Sequence, residues 1–353
     1  MLRPGAAMAA LAAALLLLSV APGAAQERTL TLMTHDSFYL PDSALEAFEA
    51  AHDVELRLLP AGDAGSMVNQ AILTADRPLA DVLYGIDNTF LSRALAADIF
   101  QPYRSPALAF VPAELQLDAE DRVTPIDVGY VCLNLDRAAF EEGGLPVPTG
   151  LEDLAEPALA GQLVVQNPAT SSPGLAFLLA TVAYFGDDPE GGWRAFWADL
   201  RDNDVTVSPD WNASYYGEFS GGVDSAGDKP LVVSYGSSPA AEVAGAAAGS
   251  AAEASPTVAL DVGCFRQVEF AGILSGTAEP ELAAALVDHL LSAEVQAELP
   301  LAMYVYPARS DVALPEAFQQ HALVPSAPLS LEPAVIDAGR ETWIREWTDI
   351  VLR

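Results

Sequence analysis

The sequence predicts an α/β protein of two lobes, each a mainly parallel sheet flanked by helices, with two crossover strands forming a hinge. Three observations predict it. Between residues 29 and 97, short alternating runs of strand character take turns with runs of helical period, as in a parallel sheet. The same alternation returns between residues 163 and 240. Two long extended runs, 123–135 and 263–273, carry little helical period and flank the second block.

In chain order, residues 29–34 read as a strand, and His35-Asp36-Ser37-Phe38 as its turn. Ser43 with Glu46 reads as a capping box opening a helix with Leu45 and Phe48 on its apolar face. Val54, Leu56 and Leu58 alternate with Glu55 and Arg57 as a second strand; 60–66 is a turn containing Asp63, and 67–73 a helix. Residues 81–84 form a third strand, Gly85-Ile86-Asp87-Asn88 its turn, and 90–97 a helix. In the second block, strand 163–165 enters Asn167-Pro168-Ala169-Thr170-Ser171-Ser172-Pro173-Gly174, and 175–184 is helical. Val205 and Val207 form a strand before Pro209-Asp210-Trp211 and a short helix around Tyr215 and Tyr216. Strand 231–235 precedes Gly236-Ser237-Ser238-Pro239 and a further helix; the Ala/Gly-rich stretch 240–255 reads as surface helix and loop. Leu282, Leu286, Leu290 and Leu291 give an amphipathic helix ending before Pro300, followed by an aromatic turn at 304–307. Residues 336–352 close the chain as a packing helix, with Trp343 and Trp347 as core residues.

The 353 residues are 51% hydrophobic and carry a formal net charge of −33. Arg3, the apolar run 7–20 and the small residues Gly23 and Ala25 read as a secretory signal peptide, cut near Ala25. That run is too short for a stable membrane span. The expected destination is a bacterial periplasm. The expected domains are 26–128 with about 265–313 as lobe 1, 129–264 as lobe 2, and 314–353 as C-terminal packing helices. An acidic surface argues against nucleic acid and anionic lipid as partners, and a monomer is expected. Cys132 and Cys264 sit one on each extended run; a disulfide and two buried thiols both fit.

Motifs of zinc hydrolases, thiol–metal sites, phosphate-cradling loops and nucleophile elbows do not occur. No catalytic residue, cofactor or metal is assigned. Of four histidines only His35 lies in a candidate ligand turn, where a capping role fits equally. Ser171, His35 and Asp87 supply the members of a hydrolytic triad, but only by being available. Strand-end turns carry Asp36, Asp63 and Asp87 in the first block, and Ser171, Ser172, Trp211, Tyr216, Tyr235, Ser237 and Ser238 in the second. In open α/β sheets ligands gather beyond the carboxyl ends of strands. Carboxylates pair with cations, and aromatic faces attract delocalised ones. The helix start at 171–174 offers N–H donors to an oxygen-rich group, though an ordinary cap accounts for it too. Together these describe a hinged cleft for a small polar cationic molecule.

The runs His35–Phe38, Gly85–Asn88, Asn167–Gly174, Gly186-Asp187-Asp188 and Ser234–Pro239 resemble, in order and spacing, the thiamine-binding periplasmic proteins of ABC transporters. The resemblance extends from Leu30 to Trp347 and implies the type 2 periplasmic binding fold. It implies capture of thiamine, including its phosphates, and delivery to an inner-membrane ABC permease without covalent chemistry. Asp63 and Ala64 match a ligand-contacting pair, with Gly in the family at Ala64. Ser171 and Ser172 match contacts to the phosphate end. Trp211 matches an aromatic packed on the ligand rings, and Tyr235, Gly236, Ser237 and Ser238 a contacting run. Tyr304 stands where a Trp is familiar, His35 where a Tyr is, and Ala241 where an aromatic is expected. The segment after Phe38 is shorter and lacks a Trp; Tyr39 is its substitute. Within the same fold, ferric-ion or polyamine binding is the alternative, since Tyr215-Tyr216 resembles phenolate iron ligation. A secreted serine hydrolase using Ser171 or Ser237 is a further one.

Overall fold

The computed structural model describes residues 28–189, 191–223, 225–245 and 254–353. The expected signal peptide and residues 246–253 of the Ala/Gly-rich stretch lie outside the described residues. The first block comprises β1 (Arg28–Thr34), α1 (Asp42–His52), β2 (Val54–Pro60), α2 (Ala64–Leu73), β3 (Val82–Asp87), α3 (Leu91–Ala96) and β4 (Phe100–Gln101). The long β5 (Thr124–Asp136) and α4 (Arg137–Gly143) lead to the second block. That block holds β6 (Leu163–Gln166), α5 (Ser172–Phe185), α6 (Gly192–Asp202), β7 (Thr206–Ser208), β8 (Leu231–Tyr235) and α7 (Ser238–Gly245). The return strand β9 (Thr257–Leu274) is followed by α8 (Pro280–Leu290), α9 (Ala293–Ala302), β10 (Tyr306–Pro307), α10 (Glu316–His321) and α11 (Pro333–Val351).

Among the described residues one sheet runs in the order β2-β1-β3-β9-β5-β8-β6-β7. Its flanks are parallel: β1 pairs with β2 and β3, and β6 with β7 and β8. Its centre is antiparallel, β9 against β3 and β5, and β5 against β8. The two extended runs are therefore the shared centre. The 18 residues of β9 reach roughly 60 Å at the usual rise, enough to run through both flanks. Cys132 and Cys264 form a disulfide between these strands, with Cα atoms 4.3 Å apart. Of the two states open in the sequence, the pairing of β5 with β9 selects the bridge.

Helix α5 is buried over residues 172–182, because it is apolar on every side and lies between β9 and α6. Helix α11 packs on α6 and α3, with Trp347 buried edge-on to Trp197 at 5.5 Å. Asp187 ties these elements together, accepting from Trp193 Nε1 at 3.0 Å, Trp343 Nε1 at 3.1 Å and Arg194 at 2.6 Å. The tryptophans of the last helix are core, as their spacing predicts.

Three local expectations are corrected. Helix α1 starts at Asp42 after Pro41, without a side-chain cap, so Ser43 and Glu46 form no capping box. Pro41 fixes its own φ at −56°, ending the preceding chain two residues earlier than a Ser43 cap requires. Strand β3 continues through Asp87, so Gly85–Asp87 is strand, not turn. A register shift at Gly85, whose φ is +98°, lets it go on pairing with β9. The helix expected to reach Pro300 is two helices: Ser292 caps α9 through Val295 N–H, and Pro300 lies inside it.

Candidate functional site

A cleft of about 620 Å³ opens where the carboxyl ends of β1, β7 and β8 face the turn after α9. Asp63 stands at its floor as the cap of α2: its Oδ1 accepts from Ala64 N–H at 2.7 Å, and its Oδ2 from Trp211 N–H at 3.3 Å. Burial raises the Asp63 pKa, while nearby Ser171, Ala64, His35 and Trp211 hold it down in part.

The opposite wall is aromatic. Trp211 stacks on Tyr215 with centroids 5.0 Å apart and planes 17° apart, and Tyr216 meets it edge-on at 5.4 Å. Tyr235, at the end of β8, lies 6.4 Å from it. Trp211 Nε1 donates to Ser234 Oγ at 3.0 Å, which in turn contacts Ser238 Oγ at 2.9 Å. The indole is thus fixed before any ligand arrives. A π-helical turn, Ala213–Glu218, presents Tyr215 and Tyr216 on adjacent positions. Tyr215 donates to Glu242 Oε1 at 2.7 Å, and Val223 N–H to Oε2 at 2.9 Å. Burial raises the Glu242 pKa, and these two donors oppose the rise.

Tyr304 completes the rim at φ +56°, a left-handed conformation that costs a non-glycine residue about 1 kcal/mol or more. Its carbonyl accepts from Ser237 Oγ. Tyr39, more than half exposed, contacts Met303 Sδ through its N–H at 3.0 Å. Among the described residues no Lys or Arg lines the cleft.

Nine of the sequence-derived candidates line this cavity: Asp63, Ala64, Ser172, Trp211, Tyr216, Tyr235, Ser237, Ser238 and Tyr304. Four do not. Asp36 is exposed and accepts from Gly62 N–H at 3.0 Å, bracing the turn instead. Asp87 is fully buried; its Oδ1 accepts from Thr89 N–H at 2.6 Å. Ser171 is buried behind Ser172 at the start of α5. Gly236 is engaged by its backbone, donating to Tyr130 and accepting from Leu323, each at 2.7 Å. The expected convergence of three acidic turns is therefore corrected to one, Asp63. The hydroxyls of Ser171 and Ser172 lack well-formed hydrogen bonds but lie near Asp63 and Asp87, whose pKa values they lower. His35 faces Glu269, so Ser171, His35 and Asp87 do not assemble as a triad.

Sequence reasoning misses Glu242, Glu269 and Met303. Glu242 lies a turn inside α7, and Glu269 in the middle of an apolar strand. Among the described residues no group of three or more His, Cys, Asp or Glu is placed to hold a metal ion.

The two-lobed architecture is the type 2 periplasmic binding fold, and the model for "bacterial extracellular solute-binding protein" matches residues 77–327: the chain belongs to that family. Its relatives include the thiamine-binding periplasmic protein of Salmonella typhimurium (strain LT2), 31% identical over 344 residues, 96% of this chain and 98% of that protein. The protein of the same name from Escherichia coli (strain K12) is likewise 31% identical with the same coverage. A solved periplasmic thiamin binding protein superposes with a TM-score of 0.80 at 29% identity, covering 94% of this chain and 98% of that one.

Proposed function

We propose that this protein captures thiamine in the cleft and delivers it to an inner-membrane ABC permease. The observation that carries this is the fixed Trp211–Tyr215 stack, crossed by Tyr216 and bordered by carboxylates, with no Lys or Arg among the described residues of the lining. A thiazolium is a flat delocalised cation, which aromatic faces and carboxylates attract. The relatives' names support the same ligand. Trp211, Tyr216 and Tyr235 pack on the rings, and Tyr304 closes over them. Asp63, Ser237 and Ser238 receive the polar edge, beside Ala64. Ser172, with Ser171 behind it, offers the α5 N-terminus to the phosphate of phosphorylated thiamine. Asp36, Asp87 and Gly236 shape the surrounding turns.

The chain acts as a periplasmic monomer, after loss of residues 1–25, and performs no covalent chemistry. Lobe 1 (26–128 with about 265–313) and lobe 2 (129–264) close on the ligand, and the permease reads the closed form. Calorimetry with thiamine, its phosphates, spermidine and ferric ion in parallel tests the reading. Thiamine is expected to bind, quench Trp fluorescence and raise the melting temperature. Trp211→Ala is expected to weaken thiamine binding at least tenfold. A coloured iron complex, or spermidine binding without thiamine binding, overturns the proposal.

A further inference from the structure

Glu269, like Glu242, is a cleft carboxylate without a sequence signal. It projects from β9, is 6% exposed and lines the cavity. Gln267 Nε2 donates to its Oε1 at 3.1 Å, but its Oε2 has no hydrogen-bond partner. The group facing that oxygen is His35 Nε2, 3.6 Å away, beyond hydrogen-bond range and itself unpartnered. The backbone holds His35 there. Its ring lies on Gly85, where a methyl would come within 2.2 Å of Cδ2.

We propose that Glu269 is the carboxylate that selects a cationic ligand in this cleft, and that His35 is its exchangeable counterion. In the empty cleft the imidazolium pairs with Glu269. When a ligand's positive charge takes its place, the imidazolium N–H bond breaks and the proton leaves to solvent. One positive charge arrives and one departs, so the buried site keeps its balance.

The surroundings demand such a charge. Asp63 before α2 and Asp36, next to His35 in the turn after β1, add negative potential at His35, and the Tyr84 ring of β3 lies 6.0 Å from it. Behind Glu269 stand Asp87 of β3, Asp127 of β5 and the Tyr235 hydroxyl of β8. Tyr84 donates to Asp127. Burial pushes both aspartates upward and Glu269 pushes them further, so neither relieves the need for a cation. Burial lowers the His35 pKa, but Glu269, then Asp63 and Asp36, raise it more, for a net rise above 6.5.

The ligand part of this inference rests on the thiamine reading, so two measurements on the full chain are paired. Imidazole NMR of the unliganded protein, with His35 assigned from His35→Asn, is expected to show titration above 6.5 that falls in Glu269→Gln. An unmoved His35 titration overturns the pair. Calorimetry with thiamine between pH 6.5 and 8.5, in two buffers of different ionisation enthalpy, is expected to show up to about one proton released. Affinity is expected to rise with pH by at most about tenfold per pH unit, levelling above the His35 pKa. His35→Asn is expected to flatten this profile, and Glu269→Gln to weaken binding at least tenfold at pH 8. Binding without proton release, or an unchanged slope in His35→Asn, overturns the exchange. Absence of thiamine binding at every pH overturns the functional proposal instead, and the NMR titration then decides the pair.

Discussion

Asp87 shows how far one carboxylate's surroundings set its chemistry. Burial pushes its pKa up to about 6; Ser172 and Thr89 pull it down, and Glu269 adds to the rise. The ordinary value is 3.8. Between these values the folded chain holds a proton that the unfolded chain has lost. The group's contribution to stability is therefore greatest below the unfolded value and is lost as pH rises through about 6. The gap corresponds to roughly 2–3 kcal/mol. Asp87→Asn keeps the acceptor for Thr89 and never ionises. Urea unfolding is expected to find it about 1–3 kcal/mol more stable than the parent at pH 7.5, with the pH 4–6 dependence flattened. A less stable variant at pH 7.5 would reject this account. At this scale the legible residues were those at strand ends and helix starts. Asp63 caps a helix at a carboxyl edge, and Trp211 follows a strand. Glu269 was not legible, because mid-strand side chains face the cleft or the core according to register, and the Gly85 bulge sets that register against β3.

Among the elements, β5 and β9 carry the molecule's continuity. The Cys132–Cys264 bridge joins positions separated by 132 residues. Closing a loop of that size restricts the unfolded chain by about 4–5 kcal/mol in the chain-entropy account. The double substitution Cys132→Ala, Cys264→Ala is expected to lower the urea midpoint correspondingly, and a reducing agent to do the same to the parent protein. A midpoint insensitive to both would show that the paired strands alone hold this junction. Strands and helices were legible wherever periodicity ran unopposed, as in β8, read at its full length. They were misread where one residue outweighed the pattern. Pro41 displaced the Ser43 cap, Gly85 prolonged β3, and Ser292 opened a new helix that tolerates Pro300 in its last turns.

At the scale of the whole molecule, the two-block plan was legible from the repeated alternation, whereas the merging of both blocks into one sheet was not. That merging depends on pairing residues such as Val131 with Phe265, far apart in the chain. Across the cleft the blocks meet at α2 and the turn before α5. Gly65 N–H on α2 donates to the Thr170 carbonyl at 3.1 Å, beside the Trp211–Asp63 bond. A side chain at 65 would put its Cβ 2.8 Å from that carbonyl and 2.9 Å from Phe90 Cζ. Alanine favours a helix over glycine by up to about 1 kcal/mol, so α2 itself gains from Gly65→Ala. Part of the cost falls inside the first block, where the buried Phe90 ring must give way, and part on the approach of the two blocks at Thr170. The melting temperature without ligand reads the first part and thiamine affinity the second. The melting temperature is expected to fall by a few degrees at most, while thiamine affinity falls at least tenfold. Small-angle scattering at saturating thiamine is expected to show a larger radius of gyration than for the liganded parent. Unchanged affinity and scattering would mean that the Gly65–Thr170 contact does not limit how far the cleft closes.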